Sequence, residues 1–361
     1  MKRVVIDINS VLPYYSRGWV SGIGRTTMEL VHALAREKEL PFEVALYSQN
    51  TLGVTGARME LPFLNKHLPY PHRRNWNKVL GILPVRELVT GYDLIHIPHN
   101  FEYVFLPSRT ILTIHDTLYF SHPEKNLSHD FSRRHIPSLA KKCRGIITCS
   151  ESSKRDIMHY MDIPEEKISV TPWGVNRELF HPEEIATDYP YFLSVSCSTG
   201  RKNTPILIEA YQQFAKQDPS HHLVLVWGNA PAEIRTLCEK TPTIHLLNNL
   251  SNEELAKLYQ GATATFFLSR YEGFGLPILE SFACATPVVT CNNSSLAEIG
   301  GEAAHYVHPD DINGCVREME FFENNVGNLA SLKEQSLQQS KAFAWDSCAK
   351  RTIKVYEKYI R

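Results

Sequence analysis

Several absences narrow what this 361-residue chain can be. No run approaches the ~20 consecutive apolar residues that a membrane-spanning helix needs, so no segment is expected to cross a bilayer. The eight cysteines, at 143, 149, 197, 238, 284, 291, 315 and 348, form no C-x-x-C pair and show no zinc-like spacing. Neither a disulfide framework nor a structural zinc site is expected, only reduced, mostly buried thiols. No His-x-x-x-His pair or carboxylate cluster has ligand spacing, so no metal or other cofactor is expected. The formal net charge is only −1. No stretch interleaves aromatic and basic residues over the length of a nucleic-acid strand, which argues against a nucleic-acid partner. Met1 to Ile8 runs into a strand without an apolar leader core or small-residue cleavage site, so the expected location is the cytoplasm. Internal repeats, coiled-coil heptads and low-complexity segments are missing too.

What is present fits a globular α/β chain. Hydrophobic residues make up 43% and charged residues 21%, and the length exceeds one ordinary core but suits two domains. Short apolar runs near 3–8, 43–47, 93–97, 110–114, 145–149 and 168–171 read as strands, with helical patterns near 23–37, 131–142 and 150–161 between them. The rhythm restarts after Pro182 and Pro190, with strands near 191–196, 222–227, 243–247, 263–268 and 287–290 and a last helix near 345–360. This predicts two doubly wound, Rossmann-like domains, residues 1–185 and 186–344, with a boundary around 182–190 and ligands in the cleft that two sets of strand C-termini would face. Charge is unevenly divided: residues 1–180 hold 23 Lys+Arg against 18 Asp+Glu, the remainder 15 against 21. The basic runs His72 to Lys78 and Lys141 to Arg144 suit peripheral contact with an anionic membrane or a pyrophosphate-linked lipid, and equally a solvated basic face.

The most informative stretch is Tyr271-Glu272-Gly273-Phe274-Gly275-Leu276-Pro277-Ile278-Leu279-Glu280. An apolar strand precedes it, and Pro277 suits a first helical position, so the glycine-rich turn opens a helix. Free N–H groups near Gly275, Leu276 and Ile278 would face a diphosphate, and glycine removes the Cβ that would block its approach. Carboxylates do not bind phosphate, so Glu272 in the loop and Glu280 in the first helical turn would accept hydrogen bonds from hydroxyls of a ribose and a transferred sugar. Either acid alone is better explained as a partner of the helix dipole, and only the combination with the other motifs favours a ligand site.

Other residues converge on the same chemistry. Ser21-Gly22-Ile23-Gly24 is a second glycine-rich helix start. Arg201-Lys202-Asn203 follows the first strand of the second domain, where a fixed ammonium would stabilise charge growing on a diphosphate leaving group. A solvated Lys-Asn turn is the plainer alternative. His115-Asp116 ends one strand of the first domain and His96 and His99 flank the end of another, positions from which they would hydrogen-bond sugar hydroxyls or place an acceptor. His115 ranks first because Asp116 follows it.

These motifs resemble the retaining glycosyltransferases of family GT4, whose GT-B fold pairs two Rossmann-like domains. The likeness also rests on Cys149 to Asp156, Val170 to Asn176 and Ser251 to Tyr259, and spans nearly the whole chain. It implies that Glu280 binds ribose, that Glu272 lies near the donor sugar, and that Phe274, Gly275 and Leu276 hold phosphate and sugar by their backbones. Lys202 would hold the phosphate, Asn248 would sit where the base is contacted, and Gly24 where the first domain touches the diphosphate. The last helix, 345–361, would return to the first domain. Relatives often carry an arginine near Ser196-Cys197; here either Arg201 substitutes or Lys202 and the helix dipole suffice. The resemblance further implies hexose transfer, with retention, from a nucleotide diphosphate sugar to a glycan or lipid-linked acceptor. GDP-mannose comes before a UDP-sugar because the 272–305 region looks most like bacterial polysaccharide mannosyltransferases. A glycosidase using Glu272 and Glu280, or a non-catalytic sugar-nucleotide binder, are the rivals.

Overall fold

A computed structural model describes residues 1–18, 20–51, 59–70, 78–79, 81–99, 103–122, 127–217 and 219–360. Residues 72–77 of the basic run therefore lie outside the described residues. The chain divides into two units, Met1–Gly174 together with Trp345–Arg361, and Val175–Ala344.

The first unit is built on strands β1 (Arg3–Asp7), β2 (Glu43–Thr51), β3 (Leu64–Tyr70), β4 (Leu94–Ile97), β5 (Thr110–Thr113), β6 (Gly145–Thr148) and β7 (Ile168–Val170). All pair in parallel, in the order β3-β2-β1-β4-β5-β6-β7. Continuous apolar strands suit such a sheet because both faces are covered. Val4 and Ile6 enter one core with Leu30, Val31 and Leu34 of the helix Gly22–Arg36, and Val5 enters the opposite core with Ile97, Ile146 and Ile157. The helix Gly22–Arg36 starts where Ser21 Oγ accepts from the Gly24 N–H.

The helix Trp345–Tyr359 belongs to this first unit, packed against Gly22–Arg36 with Trp345, Val355 and Tyr356 in the shared core. A Cβ on Gly145 would lie 2.4 Å from the Tyr359 ring, so that docking requires glycine.

The second unit carries β8 (Tyr191–Ser194), β9 (His222–Val226), β10 (Ile244–Leu247), β11 (Ala264–Phe267), β12 (Val288–Cys291) and β13 (Ala304–Val307), parallel in the order β10-β9-β8-β11-β12-β13. Its chain begins before the expected 182–190 boundary because the preceding residues already pack on it. Phe180 meets the Tyr259 ring edge-on at 5.8 Å, and Gln260 Nε2 donates to the His181 carbonyl at 3.0 Å. All eight cysteines are free and buried, and no helix of the described residues is long and apolar enough to cross a membrane.

Candidate active site

In an open parallel sheet, the loops that leave the two central strands on either side of the order reversal diverge and leave a crevice at their C-terminal ends. In the second sheet the reversal lies between β8 and β11. The loop after β8 carries Arg201 and Lys202, and the loop after β11 carries Glu272. Topology alone brings the three together.

Glu272 Oε1 is the meeting point. It lies 2.5 Å from Arg201 Nη1 and 2.7 Å from Lys202 Nζ, and Ser269 Oγ donates to it at 2.7 Å. Burial raises the Glu272 pKa, but the adjacent Lys202 and Arg201 charges outweigh it and hold the carboxyl below its usual range. The acid is therefore ionised. The two loops are tied to each other as well: Arg270 N–H donates to the Arg201 carbonyl at 2.8 Å, and Arg201 Nη1 donates to the Tyr271 carbonyl at 2.7 Å. Lys202 Nζ also sits 4.7 Å above the Phe267 ring. Arg201 shares the one Glu272 oxygen with Lys202.

Beyond Glu272 the chain opens the helix Leu276–Ala283, with Gly275 at its N-cap, φ +127° and Pro277 in its first turn. That φ is open to glycine and strained for any other residue. Among the described residues nothing accepts from the N–H groups of Gly275 and Leu276. Ile278 departs from expectation: its N–H donates to the Gly275 carbonyl at 3.0 Å, because the first turn closes one residue early, so it does not face outward. Phe274 is 2% exposed and packs on Phe343, and Ser295 Oγ lies 2.6 Å from its carbonyl, fixing the turn from below.

Glu280 is also corrected. It lies in the second turn rather than the first, 4% exposed, with the Tyr259 hydroxyl donating to Oε2 at 3.1 Å. Asn248 is exposed directly after β10, beside Asn249 at φ +52°. Arg270 went unnoticed in the sequence although it directly precedes Tyr271. Its guanidinium pairs with Asp310 and donates to Asn203 Oδ1 at 3.1 Å, which braces the Arg201–Lys202 loop from behind.

The first unit alters several expectations. Gly24 is buried with its N–H already committed to Ser21 Oγ, and a Cβ there would lie 2.3 Å from the Ser10 carbonyl oxygen. It is a packing glycine, not an anion contact. Gly22 and Ile23 are the first two residues of that helix. His96 is a satisfied core histidine, 1% exposed, with Nδ1 2.6 Å from the Tyr356 hydroxyl and Nε2 2.7 Å from Thr113 Oγ1. Burial and the neighbouring His115 and His99 push its pKa down to about 3, so the ring is neutral and unavailable to an acceptor.

His115 is 7% exposed and donates through Nε2 to the Pro98 carbonyl at 3.1 Å, with its ring 5.2 Å from Trp173. With Thr26, Thr113, Thr171 and Trp173 it lines a cavity of about 20 Å³, room for one water. Burial lowers its pKa to about 4. Asp116 Oδ1 accepts from the Leu118 N–H at 3.0 Å and so starts a short helix. His99 Nε2 lies 3.2 Å from Asp7 Oδ1 at the C-terminal ends of β4 and β1, the order reversal of the first sheet. Asp7, which also accepts from the Asn9 N–H and side-chain amide, had no signal in the sequence beyond its place at a strand end.

Comparison with known proteins identifies the two domains. Residues 20–179 match the family model described as Glycosyltransferase Family 4, and residues 175–339 match that described as Glycosyl transferases group 1. O-antigen chain mannosyltransferase B of Escherichia coli is 24% identical over 94% of this chain and 96% of its own. O-antigen chain mannosyltransferase RfbU of Salmonella typhimurium is 29% identical over 55% of this chain and 57% of its own. The solved sucrose-phosphate synthase of Thermosynechococcus elongatus has the same fold, with a TM-score of 0.76 at 18% identity over 99% of each chain. With a family 4 glycosyltransferase domain matched over residues 20–179, a group 1 glycosyltransferase domain over 175–339 and two Rossmann-like sheets of this order, the chain is a glycosyltransferase of the GT-B fold.

Proposed function

We propose that the enzyme transfers a hexose from a nucleotide diphosphate sugar, first of all mannose from GDP-mannose, to a hydroxyl of a glycan or lipid-linked saccharide, with retention at the anomeric carbon. The observation that carries the reading is the placement of Arg201 and Lys202 at the β8/β11 reversal, beside a helix start whose Gly275 and Leu276 N–H groups have no acceptor among the described residues.

As the sugar–oxygen bond lengthens, negative charge grows on the departing diphosphate. Fixed cations and a helix N-terminus stabilise that charge more in the transition state than in the ground state. They supply the positive charge a divalent ion would otherwise bring, so the proposed reaction needs no metal. Glu280, braced by Tyr259, accepts from the ribose hydroxyls, and Asn248 at the β10 edge stands beside the base. Glu272, ionised, accepts from a hydroxyl of the transferred sugar. His115 and His99 at strand ends of the first unit are proposed acceptor contacts, and the buried His96 is withdrawn from that role.

The O-antigen chain mannosyltransferases among the relatives favour mannose as the sugar and a glycan chain as the product. The test is incubation with GDP-mannose, UDP-glucose and ADP-glucose, with and without a mannose-containing acceptor. Acceptor-dependent GDP release from GDP-mannose alone is the expected result, and the product anomer read by proton NMR tests retention. Release from UDP-glucose alone moves the assignment to a UDP-sugar, and release from none of them removes it.

A further inference from the structure

Glu272 and a diphosphate need the same two cations. Resting on the donor reading above, we infer that Glu272 competes with the diphosphate for Arg201 and Lys202, so that the donor binds by ion exchange and its arrival frees the carboxylate that then receives the sugar.

Charge and burial set this competition. A single oxygen, Oε1, collects Arg201 Nη1, Lys202 Nζ and the Ser269 hydroxyl. Arg201 Nη1 donates to the Tyr271 carbonyl and forms an ion pair with Glu272. The side chains involved are only 24%, 15% and 13% exposed for Arg201, Lys202 and Glu272, so water screens them poorly. A diphosphate drawn to the same ammonium would bring about two further negative charges within a few ångströms of an ionised carboxylate, which is repulsive at this depth. The carboxylate and the diphosphate therefore compete for the same two cations, and repulsion turns the carboxylate away as the phosphate enters.

The exchange has a selective consequence. A bare nucleoside diphosphate displaces Glu272 and gives it nothing in return, whereas a nucleotide sugar offers the displaced acid a hydroxyl to accept from. Glu272 thereby weakens binding of the product nucleotide relative to the donor, a bias that favours product release.

The experiment is calorimetric titration of GDP and of inorganic pyrophosphate into the wild type and into Glu272→Gln, each variant checked for an unchanged melting profile. Removal of the competing charge is expected to tighten both ligands by about tenfold or more, the scale of one charge-assisted hydrogen bond, while GDP-mannose, losing its acidic partner, gains less. Ser269→Ala, which leaves every charge in place and loosens Glu272, is expected to tighten GDP by a smaller factor. Equal or weaker binding of GDP and pyrophosphate by Glu272→Gln, with the wild type binding GDP, overturns the exchange and leaves the donor reading standing. Failure of either protein to bind GDP, UDP, ADP or pyrophosphate overturns both.

Discussion

Tyr356 and His96 stand 260 residues apart in the chain and 2.6 Å apart in the structure, phenolic oxygen against Nδ1. Because the other ring nitrogen bonds Thr113, a neutral imidazole donates once and accepts once, and the pair fastens the C-terminal helix to the centre of the first sheet. An imidazolium is disfavoured there because burial strips its charge of solvation and His115 and His99 lie close by.

Stability should therefore fall on mild acidification. The folded pKa values of His96 and His115 are lowered to about 3 and about 4, against 6.5 for an unperturbed ring. The unfolded chain then binds more protons than the folded one below pH 6.5, and the stabilisation, complete above that pH, is lost progressively as pH drops toward the folded values. At pH 5 each buried ring contributes a loss of about 2 kcal/mol. Urea unfolding at pH 7 and pH 5 measures this, and His96→Gln should reduce the difference. The lowered pKa of Glu272 acts only below about 4.5, so it does not confuse the window.

Gly24→Ala should destabilise the first unit by at least about 1–3 kcal/mol through overpacking, because its Cβ would fall 2.3 Å from the Ser10 carbonyl oxygen. Gly22→Ala, two residues away and with open space around it, should change stability by less than about 0.5 kcal/mol. Thermal denaturation of the pair separates a packing glycine from a ligand-binding one; equal, small effects would return Gly24 to the anion site.

Glu280→Gln keeps a partner for the Tyr259 hydroxyl while removing the charge that a ribose diol would use. GDP affinity should fall by about 1–3 kcal/mol, with little change in melting temperature. Calorimetry checks it, and unchanged affinity would remove Glu280 from the nucleotide site.

Much of this architecture is legible in the chain because parallel strands buried on both faces are short apolar runs, and because glycine and proline mark the start of the helix at Leu276. Runs such as Thr110 to Thr113 and Ala264 to Phe267 could hardly be anything else. The strand Leu64–Tyr70 escapes notice because it lies at a sheet edge, half-exposed, with Pro69 and several polar residues in place of an apolar run. Residue type alone does not separate His96 from His99. Both flank the same strand end, and only the arrival of Tyr356 from the far end of the chain shows which ring is sealed in the core. Gly24 misleads for a similar reason: the same glycine that lets a phosphate approach also lets a neighbouring backbone approach, and here the neighbour is Ser10. Arg201, Lys202 and Glu272 come close to a sequence-level inference, since two βα loops on either side of an order reversal must meet. That all three share a single carboxylate oxygen is visible only in the folded chain.

The central claim, that Lys202 and its neighbours receive a diphosphate leaving group, is tested most directly by the rate of GDP release from saturating GDP-mannose and acceptor by the Lys202→Ala variant. The predicted result is a fall in kcat of about 100-fold or more with a folded protein and a little-changed acceptor KM. An unchanged kcat would contradict it.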